Sequence, residues 1–349
     1  MGKLFSFRYA LLLSILLFSI SSYCFVREYI YAHEADDFSL IQEHLSEDAM
    51  TVDNVNSEYD MTDTATSSVI DSSLVLNPPP IHNDKTLNVL GTTISLGEST
   101  ESIQDKLGNP NRIAKTEMDF DYYVYSNNYS KLLFIAIKDN QVAGYYTDSI
   151  DFNYLGIAPG SGLEEVNEAL HTDMTMNYLL THALEDYSLH IFMDEIGTHG
   201  VTGLLLIRND VKRVAYTDEA LRDMELLIYD LTNSIRKRND VPILSWSSTA
   251  AGAARKHSTD MAKNRYFNHY SLYNESPGDR LKEEGIIYKS IGENIIAGYE
   301  NAIISSHAWF NSPDHRDNIL NENYTSLGVG FTYLEDSIYK SYITQNFFR

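Results

Sequence analysis

The side chains that most often do chemistry are thinly spread along this chain. Its one cysteine, Cys24, lies inside an apolar run near the N-terminus, so the remaining residues contain neither a thiol nucleophile nor an internal disulfide. No H-E-x-x-H pair, G-x-S-x-G elbow, P-loop or G-x-G-x-x-G fingerprint occurs. Gly160-Ser161-Gly162, just ahead of helical periodicity, is either a set of backbone N–H groups able to seat an anion or a plain turn, and the turn is the simpler reading. Tyrosines crowd one region: Tyr122, Tyr123, Tyr125, Tyr129, Tyr145 and Tyr146. They suit an aromatic ligand face, but strand residues of high β-propensity account for them more simply.

The segments that carry these groups differ in charge. The chain has 349 residues and a formal net charge of −23. From Arg222 onward 14 basic residues face 16 acidic ones, whereas the first 221 residues hold 12 against 33. A surface that acidic repels a duplex or an anionic lipid layer, which argues against a nucleic-acid partner and leaves cationic ones open. Lys3 and Arg8 precede an uncharged run from Tyr9 to Val26, long enough for a signal peptide or a short membrane span. With no small-residue cleavage pattern after it, residues 1–33 read first as an uncleaved anchor with its positive end inside, and second as a cleaved leader. Residues 34–86, rich in Asp, Glu, Ser, Thr and Asn and carrying Pro78-Pro79-Pro80, read as an acidic tether that buries too little apolar surface to fold.

Residues 87–217 show a weak repeat. Ile103 and Leu107 recur 63 residues later as Val166 and Leu170. Each copy then runs through Tyr-Ser, an apolar strand (Leu132 to Ile137, Leu189 to Met193) and Val-x-Gly. A helix followed by antiparallel strands, twice, predicts a smaller α+β domain of two repeated units. From Asp223 the periodicity becomes helical, with Met224, Leu227, Leu231 and Ile235 on one stripe. Helices are also predicted over 249–264, from Ser276-Pro277, over 301–311 and from Ser312-Pro313 to Leu320. Two alternating strands, around Leu327–Tyr333 and Tyr342–Phe347, close the chain.

Four segments occur in order over residues 222–349: Tyr266-Phe267-Asn268-His269, Gly292-Glu293-Asn294-Ile295, Ala308 to Leu320 (AWFNSPDHRDNIL), and Gly328-Val329-Gly330-Phe331. Together they resemble the bacterial branch of the CAP superfamily, which also holds cysteine-rich secretory, venom and pathogenesis-related proteins. The preceding domain is similar to the CAP-associated N-terminal domain of Gram-positive proteins. The resemblance implies an α+β architecture whose C-terminal part is an α-β-α sandwich with a cleft on one face.

Carried over residue by residue, the resemblance places His269, Glu293 and His315 in that cleft, with Gln345 and Tyr342 lining it from the last strand. Other branches have a fourth acid where this chain has Ser312, which also suits the N-cap before Pro313. Two imidazoles and a carboxylate are apt ligands for Zn2+ or another divalent metal, and equally apt for a neutral hydrogen-bonded network. His257, four residues from Ala253 and from Met261, reads as a satisfied helix-face histidine, His307 as cleft-lining or exposed, and Arg316 as a surface partner of Asp314 or Asp317. A serine mechanism through Ser271 or Ser312 lacks a local activating group. Three functions follow in order: an extracytoplasmic, membrane-anchored or secreted module whose cleft binds a small amphiphile, wall fragment or peptide without catalysis; a metal-dependent hydrolase or protease using His269, Glu293 and His315; and a scaffold whose repeat domain holds a partner.

Overall fold

The computed structural model describes residues 85–349, which fall within one compact unit, Asn77–Arg349. The run at 9–26, Cys24 and almost all of the acidic stretch lie outside the described residues. In chain order, the first domain contains β1 (Thr86–Val89), β2 (Thr92–Ser95), α1 (Thr100–Leu107), β3 (Arg112–Lys115), β4 (Asp121–Tyr125), β5 (Leu133–Lys138), β6 (Gln141–Thr147), α2 (Leu163–Leu170), β7 (Leu179–Ala183), β8 (Tyr187–Met193) and β9 (Val201–Arg208). Strands β3 to β9 form one antiparallel sheet of order β3-β4-β5-β6-β9-β8-β7. This sheet is larger than the four-stranded sheet of the second domain, contrary to the smaller size read from the sequence.

Both faces of this sheet are covered, which explains the unbroken apolar run at 132–137. Leu133, Ile135 and Ile137 join Leu87, Ile94, Ile103 and Val166 beneath the β1–β2 hairpin and the two short helices. Leu132, Phe134 and Ala136 point the other way and join a core that continues into the second domain. The tyrosines of this region are mainly core residues: Tyr122, Tyr145 and Tyr146 are buried, which removes the aromatic ligand face. Gly162, before α2, has its N–H taken by Glu165 Oε2 at 2.8 Å, so the turn caps its own helix instead of holding an anion.

The second domain contains α3 (Asp218–Arg238), β10 (Ser245–Trp246), α4 (Ser248–Asn264), α5 (Pro277–Glu283), β11 (Ile291–Ala297), α6 (Ala302–Phe310), α7 (Pro313–Leu320), β12 (Ser326–Tyr333) and β13 (Ser341–Phe348). Helix α3 starts at Asp218, five residues before the predicted change of periodicity, because Thr217 accepts from Ala220 N as N-cap and Asp218 and Glu219 favour the positive end of the helix. Its apolar stripe meets the seven-stranded sheet, and its polar side is buried too. Asp230 accepts from Arg112 (2.9 Å) and Tyr129 (2.9 Å), Ser234 donates to Asp148 (2.7 Å), and Arg236 donates to the carbonyls of Ile319 and Asn321. A helix buried on every side has an element against each face, here the large sheet on one side and the β10-β12-β13-β11 sheet on the other.

Residue parity sorts the smaller sheet. Leu327, Val329 and Phe331 face α3, whereas Gly328 and Gly330 face α4. A Cβ on Gly330 would lie 2.0 Å from Arg255 N and one on Gly328 2.2 Å from Ala251 N, so the G-x-G pattern records backbone-to-backbone packing of α4 on β12.

Candidate functional site

Strand β11 is the free edge of the smaller sheet, and the predicted cleft residues gather around it. The outward carbonyls of this edge are satisfied by side chains: Tyr324 donates to Ile291 O (2.9 Å), Asn318 to Glu293 O (3.2 Å) and Trp309 to Ile295 O (3.3 Å). The edge is thereby closed to pairing with another strand. Gly292 is required by the same arrangement, since a Cβ there would stand 2.4 Å from the Tyr324 hydroxyl. Much of the motif content at Gly292, Trp309 and Asn318 is therefore edge protection.

Glu293 pairs with Asn346 in register and lies on the α4 face. Its side chain is almost wholly buried, and both oxygens are engaged. Oε1 accepts from His269 Nδ1 at 2.9 Å, and Oε2 accepts from Arg280 Nη2 of α5 at 2.5 Å. With its amide nitrogen turned toward Glu293, Asn346 donates to Oε2 at 3.1 Å as well. Arg280 also donates to His269 O (2.9 Å) and Glu275 O (3.0 Å), anchoring the loop that carries the histidine. His257 anchors it from α4 through Nε2 to Asn268 O at 2.9 Å, while its buried Nδ1 has no partner among the described residues, so the helix histidine is only half satisfied; burial lowers its proton affinity below the ordinary histidine value.

The opposite wall comes from the other layer. Asn294, one residue on, faces α7 and donates to His315 O at 3.1 Å. His315 Nδ1 lies 2.8 Å from Ser312 Oγ. Ser312 occupies the N-cap position of α7 but makes no side-chain cap bond, so its role differs from the one expected: its hydroxyl addresses the imidazole. Burial, added to by the nearby His269, holds His315 below the ordinary histidine range.

The structure thus brings His269, Glu293 and His315 to one edge from two layers, while Glu293 contacts only the first imidazole. Among the described residues no three His, Cys, Asp or Glu side chains form a metal-binding set. The reason lies in the partners: the Glu293 carboxylate is turned to His269, Arg280 and Asn346, so the trio does not fit as His/Glu/His ligands. Gln345 is fully buried on the α3 side, donating to Thr232 Oγ1 (2.8 Å) and accepting from Asn294 (3.1 Å). It therefore does not line the cleft, and Tyr342 is likewise fully buried.

Three residues read differently in the fold. His307 is neither cleft-lining nor exposed: it is buried between the domains, stacked on Phe192 at 4.0 Å and within 2.9 Å of the Tyr146 hydroxyl. Arg316 pairs with Asp194 of the first domain at 2.6 and 3.1 Å and lies over the Phe310 ring, rather than pairing with Asp314 or Asp317. Asn311 accepts from Glu195 N (2.7 Å) and donates to Met193 O (3.0 Å). The β8–β9 turn of the first domain thus grips the α6–α7 corner that presents Ser312 and His315. Arg280 was the functional side chain missed in the sequence, since nothing local separates it from a surface arginine on a short helix.

The rim beside His269 is apolar. Tyr270, Leu272 and Tyr273 are 52%, 61% and 86% exposed. Their loop is nonetheless fixed: Asn268 Oδ1 accepts from Tyr270 N (2.8 Å), and Ser271 Oγ accepts from Tyr273 N (3.2 Å) and Glu275 N (3.1 Å).

The second domain is thus a three-layer sandwich with two histidines and a locked glutamate at a sheet edge, and the sheet domain docks on it. Residues 229–347 match the Cysteine-rich secretory protein family, and residues 96–213 match the CAP-associated N-terminal family. The chain therefore carries a CAP domain preceded by a CAP-associated N-terminal domain. It is 26% identical to the uncharacterised membrane protein YlbC of Bacillus subtilis over 291 residues, covering 73% of this chain and 82% of that protein. It is 41% identical over 107 residues to the uncharacterised protein YkwD of the same organism, covering 31% of this chain and 42% of that protein. In fold it is similar to an extracellular SCP-domain protein of Bacillus anthracis, with a TM-score of 0.64, 24% identity, and coverage of 83% of this chain and all of that one. It is also similar to a cysteine-rich secretory protein of Staphylococcus aureus, with a TM-score of 0.59, 16% identity, and coverage of 76% and 97%.

Proposed function

We propose that this protein works outside the cytoplasm, membrane-anchored or secreted, and that the cleft at the β11 edge binds a small wall fragment or peptide without transforming it. The observation that carries this reading is the use of Glu293 as a buried support, bonded to His269, Arg280 and Asn346. With its carboxylate held by His269, Arg280 and Asn346, the cleft offers outer imidazole nitrogens and an apolar rim. A fixed polar pair beside exposed aromatics suits recognition of a partly polar, ring-bearing or amide-bearing molecule. The first domain serves by holding the α6–α7 corner, and its two halves, meeting at the β6–β9 pair behind one short helix each, support an origin by doubling.

The test is calorimetric titration of the full-length protein with a muramidase digest of Gram-positive peptidoglycan. Binding that is lost in both His269→Ala and His315→Ala supports the reading. Binding that survives both substitutions places the site elsewhere, and conversion of the digest to new products replaces the reading with a hydrolase.

A further inference from the structure

The two hydrogen bonds behind the imidazoles differ in polarity. Glu293, paired with the Arg280 guanidinium, only accepts, so the His269 proton sits on Nδ1 and Nε2 is left as an acceptor. On the other wall the partner is a hydroxyl. Ser312 Oγ has no other hydrogen-bond partner among the described residues. Donation to His315 Nδ1 would satisfy both atoms and put the ring proton on Nε2.

With those tautomers the two imidazoles present one acceptor and one donor from opposite layers of the sandwich. A trans secondary amide carries its N–H and C=O on opposite sides of a rigid plane. We propose that the cleft reads such an amide, with its N–H donating to His269 Nε2 and its carbonyl accepting from His315 Nε2–H. This rests on the cleft being the binding site argued above and adds the chemical class of the ligand. Acetamido sugars and peptide links both supply the group, and the exposed Tyr270 and Tyr273 rings offer faces for what flanks it.

The test has two parts. Nitrogen-15 NMR of histidine-labelled full-length protein reads the tautomers directly, with His269 expected protonated at Nδ1 and His315 at Nε2. The same tautomer on both rings overturns the proposal. Binding is then compared between triacetylchitotriose and cellotriose, and between an acetylated alanine tripeptide and its ester analogue. At least one amide probe is expected to bind about tenfold or more tightly than its matched analogue, because a site built around a hydrogen bond rejects the ligand that lacks it. The arm that binds identifies the source of the amide. Ser312→Ala removes most of this preference and Ser312→Thr restores it. Equal binding of amide and analogue, or no binding of either amide, overturns the proposal. If the peptidoglycan digest still binds through both histidines, only the ligand class falls, and the binding reading stands.

Discussion

Replacing Arg280 with methionine removes the guanidinium from a pair whose side chains are 8% and 2% exposed, while keeping most of the aliphatic volume. The Glu293 carboxylate then stays buried without its cation, and the carbonyls of His269 and Glu275 lose their donor. Breaking one side of a buried pair costs about 3–5 kcal/mol, far more than the ~0–1 kcal/mol of an exposed pair. Urea unfolding of Arg280→Met followed by circular dichroism should show a loss in that range. Adding Glu293→Leu removes the orphaned charge, so the double variant should recover part of the loss, with a coupling of about 2–3 kcal/mol in the cycle. A cost under about 1 kcal/mol for Arg280→Met, or additive losses in the double variant, would refute the claim that Glu293 is a locked support and reopen its role as a free base.

Further outcomes follow from the shared core. Because Tyr146, Phe192 and Leu205 pack with Met224, Leu227 and Leu231, residues 85–349 should unfold in one transition, with calorimetric and van't Hoff enthalpies equal; two resolved transitions would separate the domains. Burial, and then the Arg238 charge, keeps His307 neutral well below its ordinary value of 6.5. The unfolded chain therefore binds a proton that the native state does not, so this stability is complete above pH 6.5 and declines as pH falls. The slope is about 1.4 kcal/mol per pH unit for such a group, and His307→Phe should flatten it by that amount. Arg316→Ala should cost about 2–3 kcal/mol by urea unfolding, through two charge-assisted bonds to Asp194; a change under about 0.5 kcal/mol, the norm for surface positions, would return Arg316 to the surface pairing read from the sequence.

What was legible in the sequence was chiefly local. Ser276-Pro277 starts α5 with a capping box, Asn301 caps α6, and the parity of residues 342–347 matches the faces of β13. The ordered motifs located the cleft residues. Their partners were not legible because they depend on layers rather than spacing. His269 and Glu293 share one face of the sheet, whereas His315 arrives from the other, so three similar residues do not form a trio. Gln345 shows the same limit: strand alternation predicts which residues share a face with it, but not that its face is filled by α3. Arg316 and His307 sit in motif-bearing helices, and their roles appear only when the first domain closes over them.

The most direct test of the central claim is to follow the histidine ring nitrogens while the peptidoglycan digest is added to the full-length protein. The account predicts that the His269 and His315 signals move together and saturate, with the buried His307 and His257 signals unchanged. Saturable binding that leaves the rings of His269 and His315 unmoved would contradict it.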